Sequence, residues 1–153
     1  NCVCTPGQIQ RYMNKISGPL LDRIDIQCEI TPVPFKDISK AAQGEPSAEI
    51  RKRVIRAREI QAERFSGQKG IHCNAQMSER MIHQYAEPDE AGISMLRMAM
   101  ERLSLSARAY NRILKVARTI ADLEGCEHVE SHHLAEAIGY RTLDRGDWAE
   151  RGI

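Results

Sequence analysis

Two arginines stand where a fixed positive charge can be aimed at a phosphate. Arg108 falls in the first turn of a helix expected after Ser104 and Ser106. A cation there faces the positive end of the helix dipole, which costs about a few tenths of a kcal/mol. A solvated arginine that bends away accounts for the placement, and so does an arginine that joins the helix N-terminus in holding one anion. Arg23 lies in Gly18-Pro19-Leu20-Leu21-Asp22-Arg23-Ile24-Asp25, between a helical turn and an extended segment. A junction of that kind can project a side chain rigidly outward. A local ion pair with Asp22 or Asp25 is the plainer alternative, contributing under ~1 kcal/mol when exposed.

Sulfur and imidazole come next. Cys2-Val3-Cys4 supplies two thiolates, half of a tetrahedral zinc site. Nothing downstream offers an obvious second pair, and two free thiols at a chain end is the competing reading. Cys126, His128, His132 and His133 are close in sequence. His132 and His133 are adjacent, however, and on a helix they are expected to diverge by ~100° rather than share a metal. There is no G-x-x-x-x-G-K-[ST] phosphate loop, no G-x-G-x-x-G turn and no Ser/His/Asp set in a triad-like context. Taken alone, the chain is expected to hold no complete enzyme active site.

The elements that must position these residues are mainly helical. The 153 residues suffice for one ordinary domain or a small domain with an appendage. A net charge of +1 announces neither a nucleic-acid nor a membrane partner. With one Trp and two Phe, the core must be Leu, Ile, Met, Val and Ala, which suits packed helices. The five cysteines match no secreted disulfide scaffold, so we expect reduced thiols and a cytoplasmic protein. No stretch approaches the ~18 apolar residues of a membrane span, and no membrane partner is expected. Asn1-Cys2-Val3-Cys4-Thr5-Pro6 lacks the form of a targeting segment, so a piece of a longer protein is expected.

Residues 6–16 predict a short amphipathic helix presenting Ile9, Tyr12, Met13 and Ile16, broken by Ser17-Gly18-Pro19. Leu20–Arg23 can make one helical turn. Residues 24–30 alternate apolar and polar and predict the one strand of the chain. Residues 32–46 read as a linker, with a turn of helix at 36–42. Ser47 is expected to cap a locally basic helix to Phe65, with Ile50, Val54, Ala57 and Phe65 as its apolar stripe. Further helices are expected over 78–86 (capped by Ser78), from Pro88 to Leu103 with Ile93, Leu96, Met100 and Leu103 inward, and from Ser104 or Ser106 to Glu124. Gly125 stops that helix, and Ser131 is expected to cap the last one, with Leu134, Ala135 and Ile138 inward. Residues 144–153 read as a flexible tail.

Ile16-Ser17-Gly18-Pro19-Leu20-Leu21-Asp22-Arg23-Ile24-Asp25 resembles a segment of the magnesium-chelatase-like AAA+ ATPases, and so does the run from Leu105-Ser106-Ala107-Arg108 through Asp122-Leu123. Both are similar to the ComM/YifB family. Asn74-Ala75-Gln76-Met77 and Ala137-Ile138-Gly139-Tyr140-Arg141 extend the likeness to about residues 5–141. The resemblance implies residues 1–31 as the C-terminal remnant of an α/β ATPase core, 32–46 as linker and 47–143 as a helical lid. It implies Arg23 as an arginine finger acting in trans and Arg108 as the sensor-2 arginine of the lid. It implies ATP and Mg²⁺ for the whole protein, with neither held tightly by this chain. Cys2 and Cys4 resemble the second half of a paired C-x-C element, so zinc would need ligands from the longer chain. The partners implied are copies of itself in a ring, a hexamer, and DNA, on which ATP hydrolysis drives branch migration in natural transformation. A chelatase subunit inserting Mg²⁺ into a porphyrin is one alternative. A free-standing helical module that binds DNA or protein through the basic helix 51–64 is another.

Overall fold

The computed structural model describes residues 3–28, 30, 32–35, 44–103 and 105–141. Among these the chain is mainly α-helical and forms no strand. Cys2, Ser104, the turn expected at 36–42 and the tail 144–153 lie outside the described residues.

α1 (Pro6–Met13) starts on a capping box: Thr5 Oγ1 accepts from the Gln8 amide while Gln8 Oε1 accepts from the Thr5 amide. Pro6 opens it, where a missing N–H loses nothing. Of its expected apolar stripe, Ile9 and Met13 are half-buried, while Tyr12 and Ile16 are exposed. α2 (Gly18–Leu21) begins two residues earlier than the sequence suggests, because Pro19 occupies its first turn instead of breaking the chain. Among the described residues the segment from Ile24 forms no strand. Alternation favours an extended backbone; a strand also needs a neighbour's ladder, and the Gln27 amide instead donates to the Tyr140 carbonyl at 2.8 Å.

The bundle is built around α6 (Ala107–Glu124), which packs on α7 (Ser131–Gly139), α3 (Ser47–Arg64), the 3₁₀ turn Asn74–Gln76 and α4 (Glu79–Tyr85); α5 (Glu90–Leu103) closes over α7. The apolar face that helical spacing gives α6 is buried at Ile113, Leu114, Ala117, Ile120 and Ala121, while Tyr110 is half-buried and Ala109 beside it is fully covered. Each large side chain buried there contributes roughly 1.5–3 kcal/mol relative to exposure. Ser106 Oγ accepts from the Ala109 amide at 3.2 Å and is the N-cap; Gly125, at φ 78°, supplies the left-handed residue that ends the helix. Ser78 caps α4 as expected.

Elsewhere the boundaries shift. Pro46 precedes the first turn of α3, and Ser47 makes no capping bond. Ile50 and Val54 are 43% and 46% exposed, so only the C-terminal half of that stripe, from Ala57 to Phe65, reaches the core. Asp89 starts α5 by accepting from the Gly92 amide at 2.7 Å. Gly92 is buried where a Cβ would sit 2.6 Å from Leu134 Cδ1, and Ile93, expected inward, faces out. On α7 the cap is Glu130, not Ser131, and Ala137 rather than Ala135 is buried beside Leu134.

Candidate functional site

Arg108 is the second residue of α6 and is exposed. Ser106 satisfies the amides of Ala109 and Tyr110, through its hydroxyl and its carbonyl. Among the described residues the amides of Ala107 and Arg108 make no hydrogen bond, and the Arg108 guanidinium meets no carboxylate. Two N–H groups without a bond among the described residues, the positive end of an 18-residue helix and an exposed cation therefore share one spot, an arrangement suited to an anion.

Arg23 stands two residues past the end of α2, after the C-cap Asp22, and is exposed. Its expected local partners are engaged elsewhere. Asp25 takes Arg112 Nη1 at 2.5 Å, and the Asp22 carboxylate lies 3.9 Å from Arg141. Among the described residues Arg23 makes no ion pair. Cys4 is exposed.

The imidazole cluster differs from expectation. His132 and His133 do not diverge: their rings lie 3.9 Å apart, and both Nε2 atoms converge on Glu124, at 2.9 and 3.1 Å. The rotamers overcome the ~100° step of the helix because Glu124, at the end of α6, approaches from the side. These three residues are spaced like metal ligands. The second contact of His133 argues against that role. Its Nδ1 accepts from the Glu130 amide at 2.9 Å, which leaves Nε2 as the protonated nitrogen. A ligating histidine does the reverse, donating from its outer nitrogen and coordinating with the bare one. The cluster is an ionic clasp between α6 and α7, and Cys126 and His128 take no part in it.

The clasp makes a pH prediction. The Glu124 hydrogen bond raises the His132 pKa above its ordinary 6.5, and the His132 hydrogen bond lowers that of Glu124 below 4.5. A raised histidine stabilises fully below its unfolded pKa and loses that stabilisation as pH rises through the folded value. A lowered carboxylate stabilises above its unfolded pKa and loses it as pH falls through the folded one. The clasp is thus complete between 4.5 and 6.5. Unfolding midpoints of wild type and His132→Ala should differ most at about pH 5–6 and converge toward about pH 9. A difference that stays constant across that range would show that the ion pair is not what His132 contributes.

A buried polar network was not visible in the sequence. Asp122, fully buried, accepts from both ends of the Arg64 fork at 2.5 and 2.7 Å, from Arg118 Nε at 3.0 Å and from Asn74 Nδ2 at 2.7 Å. Arg118 also donates to the carbonyls of Cys126 at 2.5 Å and Glu127 at 2.7 Å, fixing the turn after α6. Burial pushes the Arg118 guanidinium below its usual range, and Asp122 opposes that. The two arginines line a cleft of about 490 Å³ with Tyr85, Glu87 and His128. Their donors go to Asp122, to the Asn74 side chain and to backbone carbonyls, so this network holds the bundle rather than a ligand.

Among the described residues no helix is long and apolar enough to cross a membrane. Residues 44–141 match the family described as magnesium chelatase, subunit ChlI C-terminal, and residues 1–38 match magnesium chelatase, subunit ChlI. The chain is 42% identical over 142 residues to competence protein ComM of Haemophilus influenzae, covering 92% of this chain and 27% of that protein. It is 44% identical over 143 residues to YifB of Salmonella typhimurium, covering 93% of this chain and 27% of that protein. It is 36% identical over 141 residues to Rv2897c of Mycobacterium tuberculosis, covering 92% and 28%. The chain spans about a quarter of the length of these relatives. With its C-terminal bundle matched from end to end, the chain belongs to the magnesium chelatase ChlI C-terminal family, in its ComM/YifB-like group.

Proposed function

We propose that this chain is the lid and arginine-finger part of a cytoplasmic AAA+ ATPase that assembles as a ring, a hexamer, and remodels DNA. The observation that carries the reading is Arg108 in the first turn of α6, where its own amide and that of Ala107 make no hydrogen bond to a described residue. In this reading Arg108 and those amides hold a phosphate of the nucleotide bound by the same subunit. Arg23 reaches the γ-phosphate bound by the neighbour, where it stabilises charge that develops as the terminal phosphoryl group leaves. Arginines are permanent cations and cannot ligate Mg²⁺, so neither Arg23 nor Arg108 holds that ion. Zinc at Cys2 and Cys4 would need two further ligands from outside.

DNA as the object of the motor is supported by the likeness to a protein named for competence. The family name also speaks for metal insertion into a porphyrin, and that is the second reading. Stimulation of ATP turnover by branched DNA in the full-length protein would favour the first, and stimulation by a porphyrin the second. A free-standing DNA-binding module is less well supported. Arg53 of α3 pairs with Glu45, and Lys52 pairs with Glu49 at 2.8 Å, which removes part of the basic surface.

Arg108→Ala tests the lid assignment. One lost charge-assisted contact amounts to roughly 1.5–3 kcal/mol, so nucleotide affinity of the full-length protein should fall about ten- to a hundredfold and turnover should fall with it. Titration with a fluorescent ATP analogue reads this directly. An unchanged Kd would remove Arg108 from the site.

A further inference from the structure

Arg23 is exposed, yet the segment that carries it is held on both sides. Two residues after it, Asp25 accepts from Arg112 Nη1 at 2.5 Å across 87 residues of sequence. Next to it, the Ile24 carbonyl accepts from Arg141 Nη1 at 2.7 Å. Arg141 is 1% exposed, and its other nitrogen faces Asp22 at 3.9 Å. Beyond Asp25, the buried Gln27 donates its amide to the Tyr140 carbonyl at 2.8 Å. The backbone around Arg23 is therefore pinned to α6 and to the end of α7, while the guanidinium makes no ion pair among the described residues. Arg112 adds a second feature. It stands four residues after Arg108 on α6, about one turn down the same helix. The ion pair thus ties the Arg23 segment to the helix whose N-terminus presents Arg108.

We propose that Arg112 and Asp25 are positioning residues that fix Arg23 to α6, so that the two phosphate-facing arginines of one subunit move as one body. The inference rests on the arginine-finger reading above. In a ring, Arg108 faces the subunit's own nucleotide and Arg23 faces the neighbour's. A rigid tie between them makes the lid position in one site set the finger position in the next. That is a coupling between two distinct sites through one physical element, which both sites bias.

The test uses the full-length ring protein with Asp25→Ala, Arg112→Ala, the double substitution, and the reversed pair Asp25→Arg with Arg112→Asp. Both side chains are partly exposed, so the unfolding midpoints should stay near wild type. A finger held loosely loses alignment, and kcat should fall about tenfold in each single variant while the KM for ATP stays within about twofold. The double variant should be no slower than either single, and the reversed pair should recover most of the rate. If both singles keep the wild-type kcat while Arg23→Ala rings are inactive, the tie is overturned and the finger stands. If the single losses multiply in the double variant, or if the reversed pair stays slow, the two residues do not act as a pair and the proposal fails. Wild-type turnover in Arg23→Ala rings would overturn the finger reading and the tie with it.

Discussion

Full-length rings carrying Arg23→Ala are expected to bind ATP with nearly wild-type affinity and to hydrolyse it about 10³–10⁵-fold more slowly, the range an arginine finger commands in GTPases. The separation of the two effects follows from where the charge acts. A guanidinium from the next subunit meets the phosphate where negative charge builds in the transition state, and it adds little to the ground-state complex. The conformation of the chain is consistent with that demand. Arg23 is exposed, its two neighbouring carboxylates are occupied by Arg112 and Arg141, and nothing among the described residues draws it back. Mixed rings give the sharper measurement. A subunit with Arg23→Ala supplies no finger, yet its own site should still turn over when a wild-type neighbour supplies one. Arg108→Ala should behave oppositely, weakening the site of the subunit that carries it. Wild-type hydrolysis by uniform Arg23→Ala rings would end the assignment and return Arg23 to the solvent.

Local signals were legible where one helix sufficed to express them. The apolar face of α6, its Ser106 cap and its Gly125 stop all rest on residues within a turn or two of one another. Arg108 could be singled out for the same reason, since an N-terminal cation conflicts with the dipole of its own helix. The roles proposed for it and for Arg23 came from resemblance rather than from any pattern of spacing. Signals that depend on distant partners failed. The alternation of Ile24–Ile30 is real, but a strand needs a second strand, and the Gln27 amide found a helix-end carbonyl instead. Arg118 and Asp122 sit four apart on a helix, a spacing that by itself carries no sign of burial. They are buried because Arg64, 58 residues away from Asp122, and Asn74, 48 residues away, close over them. Asp25 and Arg112 offered no hint of each other for the same reason.

The buried pair is where a single substitution should damage the fold most. Asp122→Ala removes the only carboxylate in contact with Arg64 and Arg118 among the described residues. Arg118 is 2% exposed in its side chain and Arg64 12%, so neither can turn to water without opening the bundle. Replacing an ion pair by apolar groups can be neutral, but removing one partner strands the other charge, at about 3–5 kcal/mol. Here two like charges would be stranded side by side, and Asn74 would lose an acceptor as well. That loss is a large part of the roughly 5–15 kcal/mol by which a domain is stable, so the variant should be largely unfolded at 37 °C or close to it. Urea unfolding followed by circular dichroism would measure it. The loss should persist at about 1 M salt, because a buried pair is screened far less than a surface pair. Asp25→Ala provides the contrast: its pair is 34% and 48% exposed, and its removal should change stability by under ~1 kcal/mol. If Asp122→Ala lowers stability no more than Asp25→Ala does, Arg64 and Arg118 have another way to satisfy their charge, and the network is not what closes α3 and the 3₁₀ turn onto α6.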